Sequence, residues 1–314
     1  DRRPTVLAID VGGTKLAAGL VDGDGRLIDQ RQRETVAFAG VGADPAPLDG
    51  GHAIDGTFEA LWSIVEPFVD RADAVGVGCG GPMVGGPEDR RMSPLHIPLW
   101  DDLPLAGLLA ERSGLDVVVD NDAKALALGE GWCGAAAGHR NFLAMVVSTG
   151  VGGGIVLDGR LVDGATGNAG HIGHLVVDPD GPDCACGSRG CLEAVASGTA
   201  IALATGAPAT EASDEIRRRA GMMVGRGVAD VVNLLDLPLV VVAGSVALGF
   251  GVPFFDAAEE ELRARCGLPF TRGARIVPAG LGADGPLVGA AAVWHHHRGS
   301  GVLPADPPVG EDRN

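Results

Sequence analysis

Positive charge is scarce in this sequence of 314 residues. Lysine and arginine total 24 against 41 aspartates and glutamates, for a formal net charge of −17, and lysine occurs only at positions 15 and 124. Such a balance repels phosphate polyanions at long range, and no basic run interrupts it. Neither nucleic acid nor an acidic membrane is therefore an expected partner. The lysine-poor, arginine-rich skew reads as genomic base composition and carries no functional conclusion. Long apolar runs are also missing: the longest, such as "LPLVVVAG" from Leu237, are strand-sized, and no span of 18 apolar residues or signal peptide is present. A soluble, cytoplasmic protein is expected. Cysteine is limited to positions 79, 133, 184, 186, 191 and 266. Three of these fall within eight positions, which suits a metal better than a disulfide framework. With 46% apolar and 21% charged residues, the composition is that of a compact globular chain, long enough for two domains.

Short β-branched and aliphatic runs alternate with helical patterns, which makes this an α/β protein. "TVLAID" (5–10) is a strand, "VGGT" a turn, and "KLAAGLVD" the return strand. A helix around 57–69, a strand at 74–80, a helix at 104–112 and the strand "DVVVD" follow, and "NDAKALALGEGW" opens a helix capped by Asn121 or Asp122. The plan then repeats: "FLAMVV" (142–147) is a strand, "STGVGG" a turn, and "GIVLDGRLVDG" the return strand and next turn. Beside "AIDVGGTKLAAGLVDGDGRL", the stretch "VVSTGVGGGIVLDGRL" uses the same strand, glycine turn and strand, ending in "DG.RL". Two similar lobes facing each other across a cleft are expected. Farther on, 215–236 has helical spacing, "LVVVAG" (239–244) is a strand, and "PLVGAAAVWHHH" is a last helix of small residues suited to close packing. The three terminal histidines of that helix are expected at the surface, and the Gly-, Pro- and Asp-rich tail from Arg298 is expected to fray.

The glycine turns carry the first chemical signal. Backbone amides of Gly12, Gly13 and Thr14 can converge on phosphate oxygens, with the Thr14 hydroxyl and Lys15 adding a donor and a charge. Asp10, at the strand end, can hold Mg²⁺ directly or through water. Ser148, Thr149, Gly150, Gly152 and Gly153 offer a second cradle. A strand rather than a helix follows each turn, so neither is a Walker A loop or a dinucleotide fingerprint. One such turn alone is what an ordinary hairpin needs; the pair points to nucleotide binding. Phosphoryl transfer then requires a carboxylate on the attacking hydroxyl, and Asp122, beside Asn121 at a strand–helix junction, is placed for it. Helix capping accounts for the same two residues.

Together these motifs resemble the ROK (repressor, open reading frame, kinase) family of sugar kinases. The matching stretches are "DVGGTK" (10–15), "DNDAKALALGE" (120–130), "STGVGGGI" (148–155), "GNAGHIGH" (167–174), "CACGSRGCLE" (184–193) and "AGSV" (243–246). The resemblance spans residue 5 to about residue 297. It implies the actin-like (ribonuclease H-like) ATPase fold of hexokinase type, with two lobes and a cleft between them. The implied division is 1–120 plus the last helix at 286–298, then 121–285 with a zinc loop at 171–193, and a flexible tail at 299–314. The implied activity is ATP-dependent phosphorylation of a hexose 6-hydroxyl. Asp122 would be the general base, and Asn121, His171, His174 and Glu193 would bind the sugar. Asp10, Gly12, Gly13, Thr14 and Lys15, with Ser148, Thr149, Gly150, Gly152 and Gly153, would hold the phosphates and Mg²⁺. Gly244 and Ser245 would lie near the adenosine. Dimers or tetramers are common in the family, so a homo-oligomer is expected.

Cys184, Cys186 and Cys191, with His174 ten residues before the first, offer three soft ligands and an imidazole, a set that matches a closed tetrahedral zinc site. Free buried cysteines are the alternative, but "DCACGSRGC" is too polar for a core segment. The resemblance implies a structural Zn²⁺ on these four residues, stiffening the loop that presents His174 and Glu193 to the sugar. His171 departs from the family's usual "AGE-x-GH" glutamate. A carboxylate only accepts hydrogen bonds, whereas a neutral imidazole donates at one nitrogen and accepts at the other. "AGHIGH" is similar to bacterial N-acetylmannosamine kinases of the family, which favours an N-acylhexosamine (N-acetylmannosamine or N-acetylglucosamine) over glucose; a glucokinase is the alternative. His96, where relatives often carry asparagine before x-Pro, is a second departure near the sugar. A repressor would carry a winged helix of roughly 60–80 residues ahead of this body, and the first strand at Thr5 leaves none expected. A non-catalytic sugar sensor is disfavoured by Asp122 and both turns, and a polyphosphate donor by the acidic charge.

Overall fold

A computed structural model of the chain describes residues 3–35, 46–47, 53–54, 56–94, 97 and 99–304. His96 lies outside the described residues. The chain splits into two compact units. The first comprises Asp1–Gly129, Asp163–Ala169 and Leu281–Ser300, and the second Glu130–Val162, Gly170–Gly280 and Gly301–Asn314.

In the first unit, β1 (Val6–Val11), β2 (Lys15–Val21) and β3 (Leu27–Glu34) form an antiparallel meander. The aliphatic residues of β1 and β2 are almost all buried, while β3 is an exposed, charged edge that resists further strand pairing. Helix α1 (Gly56–Val65) covers this sheet and passes into a 3₁₀ turn at Glu66–Arg71, where Pro67 withholds the next backbone donor. Then β4 (Ala74–Cys79), α2 (Leu105–Ser113) and β5 (Val117–Asn121) add two parallel strands, giving the order β3-β2-β1-β4-β5. Helix α3 (Asp122–Cys133) follows β5 without a loop.

The second unit repeats the design. Its strands are β6 (Phe142–Val147), β7 (Val151–Leu157), β8 (Arg160–Leu161), β9 (Leu239–Ala243) and β10 (Arg275–Pro278). Their order is β8-β7-β6-β9-β10, with β6–β7 and β7–β8 antiparallel and β6–β9 and β9–β10 parallel. Order and strand sense therefore match the first sheet strand for strand. Helices α4 (Leu192–Ala196), α5 (Gly198–Thr205), α6 (Asp214–Leu235), α7 (Ser245–Phe250) and α8 (Val252–Arg265) complete this unit. The last helix, α9 (Gly285–His297), belongs to the first unit. It lies directly on the β4 backbone: a Cβ added to Gly76 would stand 2.1 Å from the Ala290 carbonyl oxygen. The run of small residues in α9 exists for this approach.

Several expectations need correction. The first unit continues to Gly129, past the expected division at 120/121, because α3 packs against β4 and α9. A Cβ on Gly78 would sit 3.2 Å from Ala125, and one on Gly129 would sit 2.9 Å from Gly289. Residues 163–169 also join the first unit, where Asn168 receives the Met83 amide at 3.2 Å and donates to the Met83 carbonyl at 2.9 Å. The terminal histidines of α9 are not a surface cluster: His295 is 1% exposed, and His297 bonds Asp120. Arg298 does not fray either, since its guanidinium grips Asp116 and Glu88. Val302 is buried, and residues 305–314 lie outside the described residues. Among the described residues no helix is long and apolar enough to cross a membrane.

Candidate active site

The chemistry-bearing residues of the first unit collect at the carboxyl ends of its parallel strands, where open α/β sheets present ligands. Register pairs Asp10 with Gly78 and Gly78 with Asp120; one step on, Val11 meets Cys79 and Cys79 meets Asn121. Gly78 lies against the start of α3: a Cβ there would stand 3.2 Å from the Ala125 Cβ and 3.5 Å from the Asp122 Cα. Asp122 is the first residue of α3, and its Oδ1 accepts the Ala123 amide at 2.8 Å. Asn121 takes the capping role, with Oδ1 accepting from the same amide at 3.0 Å and from Lys124 at 3.4 Å. Both side chains are half-buried at the start of the helix.

Asp10 is half-buried, and its carboxyl is pushed up to about 7, first by burial and then by the charge of Asp122, against the pull of Lys15. The buried Cys79 thiol is pushed up by burial and by the same two carboxylates. Asp10 and Asp122 therefore share one small region, close enough for the charge of one to act on the other. Next to it, the Gly12 amide closes the hairpin on the Lys15 carbonyl at 3.0 Å. The Thr35 hydroxyl donates to the Gly12 carbonyl at 2.8 Å, a support that nothing in the local sequence pattern signals. Gly12 and Gly13 are half-buried, and Thr14 and Lys15 are exposed.

In the second unit the turn proper is Ser148–Gly150, closed by the Ser148 amide on the Gly150 carbonyl at 2.9 Å. Gly152 and Gly153 belong to β7, paired with Val146 and Met145, and Gly153 is buried against Gly170. The turn is thus three residues shorter than the expected 148–153, because β7 already begins at Val151. The turn is held from two helices. Gly198 donates to the Ser148 carbonyl at 2.7 Å and Thr199 Oγ1 to the Thr149 carbonyl at 2.9 Å. Ser148 Oγ and Ser245 Oγ lie 3.0 Å apart, so the turn and the start of α7 meet. Gly244, just before α7, has φ +100° and backs onto the Val147 carbonyl, a position open only to glycine.

Glu193 accepts the Val151 amide through Oε2 at 2.8 Å, which ties α4 to the end of the same turn. His174 Nδ1 and the sulfurs of Cys184, Cys186 and Cys191 bring one ligand atom each within 4.8 Å of one another, a group that can hold a metal ion. His174 Nδ1 stands 3.7 Å from Cys184 Sγ. His171 is exposed, and its ring stacks on His174 at 5.9 Å between centroids and 20° between planes. Position 171 is therefore presented by the Cys/His loop itself.

The ROK family model matches residues 6–297. The chain belongs to the ROK family. It is 37% identical over 262 residues to an N-acetylmannosamine kinase of Citrobacter koseri, covering 79% of this chain and 85% of that protein. It is 39% identical over 204 residues to a glucokinase of Thermotoga maritima, covering 62% of this chain and 58% of that protein. Among solved structures, a ROK family glucokinase from Streptomyces griseus in complex with glucose and AMPPNP superposes with a TM-score of 0.76 at 31% identity. That superposition covers 91% of this chain and 98% of the glucokinase. The paired five-stranded sheets are thus those of the actin-like, hexokinase-type fold of ROK sugar kinases.

Proposed function

We propose that this ROK chain is an ATP-dependent sugar kinase acting on the 6-hydroxyl of a hexose, with an N-acylhexosamine preferred. The observation that carries the proposal is the Asp10–Asp122 pair at the carboxyl ends of β1 and β5, with Asp10 raised to about 7. Two carboxylates with different environments can divide two tasks. Asp122, at a helix start and half-buried, accepts the proton of the attacking hydroxyl. Asp10, short of a counterion, fits a Mg²⁺ ligand, and Mg²⁺ supplies neutralisation of phosphate charge when bound. The Gly12 and Ser148 amides close their own turns, and the amides that follow them, of Gly13 and Thr14 and of Thr149 and Gly150, orient the phosphates, with Gly244 and Ser245 on the adenosine side. Asn121, His171, His174 and Glu193 orient the sugar hydroxyls.

Three thiols and an imidazole fit Zn²⁺ in a structural role, fixing the His171–His174 segment and the start of α4. His171 can donate and accept within one ring, as an acetamido group at C2 requires, and this supports N-acetylmannosamine or N-acetylglucosamine. Glucose is the second reading, favoured by the Thermotoga maritima and Streptomyces griseus relatives. Assembly into a dimer or tetramer is part of the proposal. A coupled assay of ADP release across N-acetylmannosamine, N-acetylglucosamine, mannose and glucose tests it. The acetamido sugars should give the highest kcat/KM; a preference for glucose overturns the role given to His171, and no turnover with any sugar overturns the kinase. Asp122→Asn should lower kcat by roughly 10²–10⁴-fold with sugar binding retained, and normal turnover in that variant refutes the base assignment.

A further inference from the structure

Directly behind Asn121 and Asp122 lies a set of charged side chains that the proposed reaction does not use. Asp120, Lys124 and Arg90 are 0%, 0% and 3% exposed, within the first unit. Arg90 pairs with the Asp120 carboxylate and donates to the Val119 carbonyl at 3.2 Å, so it grips the end of β5 twice. Lys124, in the first turn of α3, reaches Asp120 Oδ1 at 3.6 Å and also pairs with Asp163. His297, at the end of α9, meets Asp120 Oδ2 through Nε2 at 3.0 Å. The same Asp120 carboxylate accepts the Asn121 amide through Oδ1 at 2.7 Å. Surrounded by these donors, the Asp120 carboxyl is held below the ordinary range despite the opposing effect of its burial.

Buried ion pairs are a poor means of stabilising a fold, because desolvation offsets much of their attraction and apolar replacements often do as well. What they do supply is a single geometry. A carboxylate held by donors from three different elements cannot rotate without breaking several charged hydrogen bonds. Asp120 is one residue from Asn121 and two from Asp122, and it bonds the amide that joins strand to helix. Lys124 fixes the other side of the same junction, from within α3.

We propose that Arg90, Lys124 and His297, acting through Asp120, are positioning residues that clamp the β5–α3 junction and so aim Asp122 at the attacking hydroxyl. The clamp rests on the kinase reading for its purpose but not for its existence. His297 is its most accessible arm, at 14% side-chain exposure, so its variants can fold. His297→Ala should lower kcat roughly tenfold to a hundredfold while sugar KM changes little, since small misplacements of a reacting group cost that much. His297→Gln, which keeps a donor, should recover most of the rate. Hydrogen exchange supplies a readout independent of turnover: amides of Asn121–Lys124 should exchange faster in His297→Ala, with those of β1 and β4 unchanged. Unaltered exchange at the junction overturns the clamp whatever the activity, as does a kcat equal to that of the unsubstituted protein. A rate loss matched by general destabilisation and not recovered by glutamine also overturns it. Faster junction exchange in a protein that turns over no sugar supports the clamp and refutes the kinase.

Discussion

Replacing Asp10 by asparagine should abolish phosphoryl transfer and, above neutral pH, make the protein more stable. In the folded chain the Asp10 carboxyl is pushed up from 3.8 to about 7 by burial and by Asp122. The native state therefore holds a proton between those two values that the unfolded chain releases, and stability falls as pH rises through that window. Below pH 4 both states are protonated and aspartate resembles asparagine, so the variant gains nothing. By pH 8 the native carboxylate is ionised against its surroundings. A displacement from 3.8 to about 7 is equivalent to about 4 kcal/mol. For a half-buried group, screening by solvent reduces this to about 2–3 kcal/mol. Urea unfolding of both proteins at pH 5 and pH 8 without divalent cations measures the difference, because titrating groups that do not interact with Asp10 cancel between them. The advantage of Asp10→Asn should be about 2 kcal/mol larger at pH 8 than at pH 5. Equal midpoints at both pH values would refute the conflict between Asp10 and Asp122, and with it the reason for a cation there.

Other consequences concern packing, acid sensitivity and the Cys/His loop. His295 is pushed down to about 4 by burial and by Arg3, so the native state keeps it neutral while the unfolded chain protonates near 6.5. The resulting stability is complete above pH 6.5 and is lost as pH falls towards 4; His295→Leu should flatten that limb of an acid-unfolding curve. Gly76→Ala would drive a methyl into the Ala290 carbonyl, so a loss of at least ~3 kcal/mol is expected by thermal or urea unfolding. Elemental analysis should find one zinc per chain, lost in Cys184→Ser. That variant should raise sugar KM more than ATP KM, because His171 and His174 would lose their support.

The duplicated strand–turn–strand plan was legible because short aliphatic runs, glycine turns and return strands are all local signals, and both sheets keep that order. The four-residue Cys/His group was legible for the same reason, since its members lie within 18 positions of one another from His174 to Cys191. The second glycine turn was read three residues too long, because a glycine in a ladder and a glycine in a turn look alike without their partners. The charged cluster around Asp120 was not legible at all. Its members come from positions 90, 120, 124, 163 and 297, and only Lys124 is near Asp120 in the sequence. Polarity alone sent the histidines of α9 to the surface, yet a helix of small residues packed onto β4 carries its last turn inward with it.

The chain's two lysines end in opposite circumstances. Lys124 is sealed from solvent, whereas Lys15 stands exposed at the first glycine turn. An amine-directed acylating reagent applied to the folded protein thus meets one receptive lysine side chain, and it is the one that the proposed function sets beside the nucleotide. Conjugation or immobilisation through lysine would not scatter over the surface as it does on most proteins. It would concentrate on Lys15, and on the proposed function ATP should slow that labelling and the label should weaken ATP binding in turn.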